Sequence, residues 1–517
     1  MRIAPALDRS LPLVLGASAF AGMLWYMPHG VGVSPDSTIY IEAARNLLNG
    51  EGLTAAGRPV AHYPPGYSWL LAAAALLTGL DVPQGAAYVH AALFGLSTCL
   101  IGVAVRESGA RSPLVPVCAA LLFLTSPGVL QVHSNAWSES PFITFLLAHG
   151  IFLARYLDRQ RRADFVMAVL SAALALMTRY VGIVIVPTFA LALLLLSRHP
   201  PRIRIGLAVL GSTMIAFPTC VWMLRNLMIA ATTTNRSFAL HPAGLDRAWQ
   251  FLHTVVHIAQ PFEIAFRAVP VAAGVAILLA ATSYFAWRAA FPRFGDHAEA
   301  RETRRTLPLI FTAFGIAYLV FLWLSISLID ADTPADNRIL QPALIALGVA
   351  AFTMFTTGLQ HSLSRPTCLL LIGGMCIIVT FNAAHAAQKR HQASEYGIRG
   401  YTSREWQSSK VMAAVKNLEA PIRIYSNGPH VIHFLSARTA FTIPLRASPT
   451  SLAANPRYTE QVSAMIDECR AGTAVIVQLN RHYLQWHLPS GDELQREFNL
   501  PIREKFSDGT VYCLRRT

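Results

Sequence analysis

The sequence predicts an all-α polytopic membrane domain with about eleven transmembrane helices and two outer surface helices, followed by a small C-terminal α/β domain outside the membrane. Three observations carry this. Of 517 residues, 54% are hydrophobic and only 14% charged, against about 25% charged in soluble domains. The apolar residues gather in blocks near the length of a span, about 20 residues in a helix. The arginines and lysines fall mainly in the short loops between those blocks, the pattern that holds basic loops on the cytoplasmic side. That pattern accounts for the net charge of +14 without nucleic acid. No Lys/Arg run is interleaved with aromatic residues, as a single-strand groove requires.

The apolar blocks run over residues 11–27, 66–79, 85–105, 114–132, 141–156, 165–178, 181–197, 205–224, 267–288, 308–329, 340–357 and 367–385. The second is only about 14 residues long, a length typical of interfacial or re-entrant segments. Charge decides its placement. If 66–79 crosses, the arginine-rich loops at 159–164, 197–204 and 293–305 all fall outside; if it lies in the interface, all three fall inside with Arg106 and Arg111. The second choice gives eleven spans, with Arg2, Arg9 and the N-terminus in the cytoplasm. The N-terminal block reads as an uncleaved first span, because the flank after it is not a clean small-x-small site. Residues 1–385 then form the membrane domain and 386–517 a domain outside the membrane.

This topology puts segments 27–86, 133–140, 225–266 and 329–341 on one outer face, joined by Arg179 and Tyr180. The first is the most informative. "PDSTIYIEAARNLLNG" has a helix start at Asp36 or Ser37 and a stop at Asn49-Gly50. Ile39, Ala43, Leu47 and Leu48 form an apolar stripe opposite Glu42, Arg45 and Asn49, as in a helix lying flat on a membrane. "HYPPGYSW" then turns the chain into the short block 66–79. Asp36 reads as a plain N-cap or as a functional acid. Glu139, before Pro141 at a helix start, is stabilised by the helix dipole in either role. Two acids on one face could hold a cation together, or act as base and orienter. Arg179, Arg225 and Arg338, at span ends on the same face, suit a phosphate or snorkel to headgroups. Arg45, His62, Tyr63 and Tyr180 complete the substrate-binding candidates. No glycine-rich phosphate cradle is present, which fits a lipid-borne donor on a face without nucleotides.

In this order, "PDSTIYIEAARNLLNGEGL", "HYPPGYSWLLAAAALLTG", "SNAWSESPF", "LMTRY", "WMLRN" and "DNRILQPALIALG" resemble bacterial C-type (GT-C) membrane glycosyltransferases, in the protein-mannosyltransferase and aminoarabinose-transferase-like group. The resemblance covers roughly residues 10–385, and the Asp-then-PPGY loop is its most specific part. It implies an enzyme that moves a sugar, with inversion, from a polyprenyl-phosphate donor to a lipid, glycan or protein acceptor at the outer face of the inner membrane. Carried across, Asp36 becomes the catalytic acid, as general base or metal ligand. Glu139 matches the acid of the second outer loop, and Arg338 a residue that holds donor phosphate. A divalent metal ion on Asp36 and Glu139 is the cofactor this implies. Several relatives have two adjacent acids in the first loop, however, and here Ser37 follows Asp36. A phosphate leaving group is a stable anion, so one base and charge stabilisation suffice. A flippase for lipid-linked sugars would favour inverted repeats and midplane charge, and the sequence shows neither. A non-catalytic scaffold fits poorly with the intact first loop.

From 386 onward the chain is more polar. "PIRIYSNGPHVIHFLSARTAFTIPL" and "GTAVIVQLN" read as β-rich segments around a partly helical stretch, and "EKFSDGTVYCLRR" as a hairpin with an Asp-Gly turn. In a strand-like run His430 and His433 point to opposite faces, so no metal site is expected there. The domain would cover the site, help recognise acceptor, or simply pack. Cys99, Cys118, Cys220, Cys368 and Cys376 lie in apolar blocks and read as small core residues. Cys469 and Cys513 can pair if the domain faces an oxidising compartment.

Overall fold

The computed structural model describes residues 5–110, 112–259, 306–356, 365–419, 421–480 and 487–513. The span expected at 267–288 and the basic loop after it lie outside the described residues. The bundle is built in order from α1 (Pro5–Tyr26), α2 (Pro35–Leu48), α3 (Gly66–Thr78), α4 (Val82–Glu107), α5 (Leu114–Thr125), α6 (Pro127–Ser134), α7 (Glu139–Arg159), α8 (Arg162–Thr178), α9 (Ile185–Leu196) and α10 (Pro201–Ala230). Then come α11 (Leu245–Ala259), α12 (Thr306–Leu328), α13 (Asn337–Met354) and α14 (Arg365–Tyr396). Among the described residues, α4, α7, α10, α12 and α13 are each long and apolar enough to cross a bilayer. The pair α5–α6, bent by 60°, adds a sixth if it is one span. Pro127 accounts for the bend, since proline cannot continue a helix. The chain is a multi-pass membrane protein.

The helices alternate between two ends. One end gathers Arg155 on Glu107 at 2.8 Å, Tyr156 on His199 and Thr306 on Asp158. The other gathers the loops predicted for the outer face. Helix α3 has both its ends there. Its N-terminal Gly66 lies against the last turn of α8, where an added Cβ would come within 2.6 Å of the Met177 carbonyl oxygen. Just past its C-terminus, Asp81 pairs with Arg45 of α2 at 2.5 Å. Thirteen residues span only about 20 Å as a helix, less than the ~30 Å of a hydrocarbon core. The block 66–79 therefore stays on the surface, as charge placement predicts. Gly16 of α1 and Gly95 of α4 allow those two helices to touch: a Cβ on either would stand within 2.8 Å of the other's carbonyl oxygen. Small residues at such crossings are the usual means of close approach in a membrane.

The C-terminal region adds α15 (Arg404–Gln407), α16 (Lys410–Lys416), α17 (Pro429–Ser436) and α18 (Tyr458–Arg470). A short hairpin in the first outer loop supplies β1 (Thr54–Ala55) and β2 (Arg58–Pro59). The C-terminal sheet is formed by β3 (Arg423–Ser426), β4 (Ala440–Thr442), β5 (Ala474–Leu479), β6 (Ile502–Phe506) and β7 (Gly509–Tyr512), in the order β4-β3-β5-β7-β6. β3 runs parallel to β4 and β5, and β7 antiparallel to β5 and β6. Central β5 is buried along its whole length, as a strand covered on both faces should be. The two-residue loop between β6 and β7 is Ser507-Asp508 rather than the expected Asp-Gly pair, and Gly509 pairs with Phe506 as the first residue of β7. Cys469 and Cys513 are joined, tying α18 to the residue after β7.

Two further readings are corrected. The run holding His430 and His433 is helical, not a strand. Pro429 occupies the first turn of α17, where its fixed φ and missing N–H favour a helix start, and Val431 and Ile432 are buried. Residues three apart then share a face. Cys220 and Cys376 are exposed rather than core residues. A lipid-facing position demands the same apolarity as the core, so composition cannot tell them apart.

Candidate active site

The outer loops are fastened before any functional side chain is placed. Ser34, not Asp36 or Ser37, caps α2, and it forms a reciprocal capping box with Ser37. This leaves Asp36 free in the first helical turn. Gly32 bridges to the second outer loop: its N–H donates to Ser134 O and its carbonyl accepts from Ala136 N–H, both at 2.9 Å. Trp137 Nε1 donates to Ser34 Oγ at 2.8 Å. The linker after α14 closes over the same point, with Tyr401 N–H donating to Val33 O. A Cβ on Gly32 would stand 2.2 Å from Asn135 Oδ1 and 2.5 Å from Arg399 O. Three chain segments thus cross at one glycine.

That crossing sets Asp36 beside Glu139. Arg338, at the start of α13, lies between them: Nη1 is 2.7 Å from Asp36 Oδ2, and Nε is 2.5 Å from Glu139 Oε1. Its guanidinium also covers the Trp137 ring, 4.6 Å from the centroid. Arg179 Nη1 meets the same Glu139 oxygen, Oε1, and donates to Ser138 Oγ, which also accepts from Tyr40. Tyr63 donates to Asp36 Oδ1 at 2.7 Å. Glu139 is fully buried. Among the described residues, its Oε2 and Arg179 Nε find no hydrogen-bond partner, so the knot keeps one acceptor and one donor unused. Burial alone would raise the Asp36 carboxyl. Arg338 and the Tyr63 hydroxyl outweigh it, with a smaller part from His62, and hold the carboxyl at about 2.

The knot opens into a cavity of about 540 Å³. Its outer end presents Asp36, Arg179 and Arg338; its inner end is apolar, with Leu176, Met223 and Phe321 from α8, α10 and α12. His62 lines it as well, and burial together with Arg236 lowers the imidazole to about 4. Because a guanidinium can only donate, His62 Nε2 accepts from Arg236 Nη2 at 3.2 Å. Arg236 Nε binds Asp330 at 3.1 Å.

Asp36, Glu139, Arg179, Arg338 and Tyr63 therefore come together, with His62 and Tyr180 on the cavity wall. Tyr180 ties down the first loop by donating to Ala61 O. Arg225 lies outside the cavity lining; it stacks on Trp222 and donates to Val60 O at 3.1 Å, bracing the same loop. Arg45 stays at the far end of α2, in its exposed pair with Asp81. Arg236 was not singled out from the sequence. Its only signal is membership of the polar outer segment 225–266.

The two acids do not fit a divalent ion as they stand. A cation between Asp36 and Glu139 would occupy the place Arg338 already fills. Among the described residues there is no cluster of three or more His, Cys, Asp or Glu with metal-binding geometry.

The fold is that of the GT-C membrane glycosyltransferases. The profile of the family described as dolichyl-phosphate-mannose-protein mannosyltransferase matches residues 62–224. The solved structure of ArnT from Cupriavidus metallidurans in the apo state superposes with a TM-score of 0.61, at 15% identity over 96% of this chain and 97% of that one. ArnT bound to undecaprenyl phosphate gives 0.60, at 15% identity and 98% coverage of both chains. The oligosaccharyltransferase AglB from Archaeoglobus fulgidus, in complex with an inhibitory peptide and a dolichol-phosphate, gives 0.53, at 11% identity over 92% of this chain and 70% of that one. No curated protein matches the chain by sequence.

Proposed function

We propose that the chain is a glycosyltransferase that moves a sugar from a polyprenyl-phosphate donor to an acceptor at the outer face of a bacterial cytoplasmic membrane. The observation that carries this reading is the shared guanidinium: Arg338 joins Asp36 and Glu139 at the charged mouth of a cavity whose inner wall is apolar. An amphiphile with a phosphate head and a prenyl tail matches that cavity in both chemistry and order. The structural likeness to ArnT bound to undecaprenyl phosphate agrees with it.

The residues divide the work. Arg338 and Arg179 hold the donor phosphate, with Arg179 Nε available as a further donor. Glu139, buried between the arginines, fixes both guanidinium planes. A carboxyl held at about 2 is too weak a base to take a proton at neutral pH. Donor phosphate, by drawing Arg338 toward itself, removes the largest influence holding Asp36 down and leaves it a competent base. The acceptor oxygen then bonds to the anomeric carbon as the sugar–phosphate C–O bond breaks. Asp36 takes the hydroxyl proton, and polyprenyl phosphate leaves with the electron pair, inverting the centre. Residues 1–385 supply this chemistry; residues 386–517 close the acceptor side.

The orientation rests on the arginine-rich loops at the end opposite the knot and on the Cys469–Cys513 bond, which suits an oxidising compartment. A periplasmic reporter fused after Tyr396 is expected to be active; activity of a cytoplasmic reporter there would overturn the orientation. For the chemistry, membranes carrying Asp36→Asn and given labelled polyprenyl-phosphate sugar should transfer about 10²–10⁴-fold more slowly. Unchanged transfer would remove Asp36 from the reaction.

A further inference from the structure

Helix α2 separates two cavities. Asp36 and Tyr40 face the donor cavity, while Thr38, Ile39 and Glu42 face a second cavity of about 960 Å³. His62 lines both. The second cavity lies between the first outer loop and the C-terminal domain. Its near wall is α2 with the β1–β2 hairpin; its far wall is α17 and the β4 edge of the sheet.

The far wall is built, not incidental. His433 Nε2 stands 3.1 Å from Glu42 Oε1, which also accepts from Ala56 N–H. Arg423 and the Tyr425 hydroxyl both bind Glu468. Glu42 is thereby compensated across the two walls and Glu468 within the far one. Tyr425 and Phe441 set two rings 6.2 Å apart on the same wall, and Phe441 is 40% exposed. Arg58 and the exposed His430 add hydrogen-bonding groups around the opening.

We propose that this second cavity binds the acceptor, and that the acceptor is a hydroxyl-rich glycan; this rests on the glycosyltransferase reading above. The paired rings offer flat apolar faces for the C–H surfaces of sugar rings, while the compensated ion pairs offer donors and acceptors for hydroxyls. Ligand sites of this kind combine aromatic walls with a few placed polar groups. An acyl chain would make no use of the donors and acceptors that Arg58, His430 and these ion pairs present. The shared His62 marks where the acceptor hydroxyl passes to Asp36.

The test uses the full chain in membranes of its own host, given a panel of labelled polyprenyl-phosphate sugars, with the product sorted by chemistry. A glycan acceptor leaves the label in water-soluble material that survives protease and mild acid. Label that extracts into chloroform–methanol, or that protease releases, overturns the glycan assignment while leaving the glycosyltransferase reading intact. No transfer at all by the parent chain, with undecaprenyl phosphate binding also lost, sinks both. Phe441→Ser touches an exposed ring and Tyr425→Phe removes only a hydroxyl, so neither empties the core. Loss of the Phe441 ring should raise the half-saturating acceptor concentration roughly threefold to tenfold, with undecaprenyl phosphate affinity unchanged. An unaltered half-saturation in both variants would exclude the second cavity as the acceptor site.

Discussion

Two arginine–carboxylate contacts of nearly equal length stand at opposite ends of α2. At its start, Asp36 meets Arg338 at 2.7 Å; at its end, Arg45 meets Asp81 at 2.5 Å. Distance alone ranks them as equals, and so does the sequence, which offers Arg45 and Arg338 as substrate-binding candidates alike. Their surroundings differ. Arg338 is almost enclosed and touches a second, fully buried carboxylate and an indole ring. Arg45 and Asp81 are each about half in solvent. An exposed pair contributes about 0–1 kcal/mol, whereas breaking a buried one by removing a partner costs about 3–5 kcal/mol. The difference lies in what each charge would be left with, not in how closely the charges approach.

The sharpest way to break this comparison is Arg338→Ala. It should lower stability by about 3–5 kcal/mol, read from thermal unfolding in detergent, and abolish transfer. Arg338→Lys should recover folding better than transfer, because a lysine cannot serve two carboxylates with a planar fork. A smaller effect is expected from Tyr63→Phe, which removes a hydrogen bond to a charged group worth about 1.5–3 kcal/mol. It also moves a pH limb. The Asp36 carboxyl is depressed to about 2 when folded, so its contribution is complete above the unfolded value of about 3.9 and is lost as pH falls toward 2. In Tyr63→Phe the folded value rises, so the loss should still begin near the unfolded value but end at higher pH and be smaller, seen as a shallower acid limb in unfolding midpoints.

The contact between α17 and α2 has the opposite sign. The hydrogen bond to Glu42 raises His433 above its ordinary 6.5 despite partial burial. Its stabilisation is present below about 6.5 and is lost as pH rises through the raised value. Thermal midpoints should therefore fall modestly above neutrality in the parent chain, and Glu42→Gln should flatten that slope. Arg45→Ala closes the series. Stability should change by less than about 0.5 kcal/mol, and transfer should stay at the parent rate. A large loss of transfer in Arg45→Ala would place that arginine in the reaction and undo the contrast.

The bundle was largely legible because span length and loop charge are one-dimensional properties. The surface placement of α3 followed from arginines in distant loops, such as those at 159–164 and 197–204. The acids and arginines of the knot were legible as individuals, each at the outer end of a helix, but not as partners. Their pairing depends on Gly32, Asn135 and Arg399 meeting at one point, a tertiary event with no local signature. Asp36 also looked like a cap, and only Ser34 taking that role leaves it for Arg338. His430 and His433 were misread because a short apolar run suits a strand or a buried helix equally well. Arg236 lay in a long polar segment where nothing local distinguishes one arginine from another.

The dividing position of α2 has a kinetic consequence. On the reading above, one reactant travels in the plane of the bilayer and the other arrives from water, and each has its own doorway to the same carboxylate. Neither occupies the other's route, so both can be present at once and can arrive in either order. Initial-rate lines for the two should intersect rather than run parallel. The spent lipid carrier can slip away sideways while the elongated product departs outward.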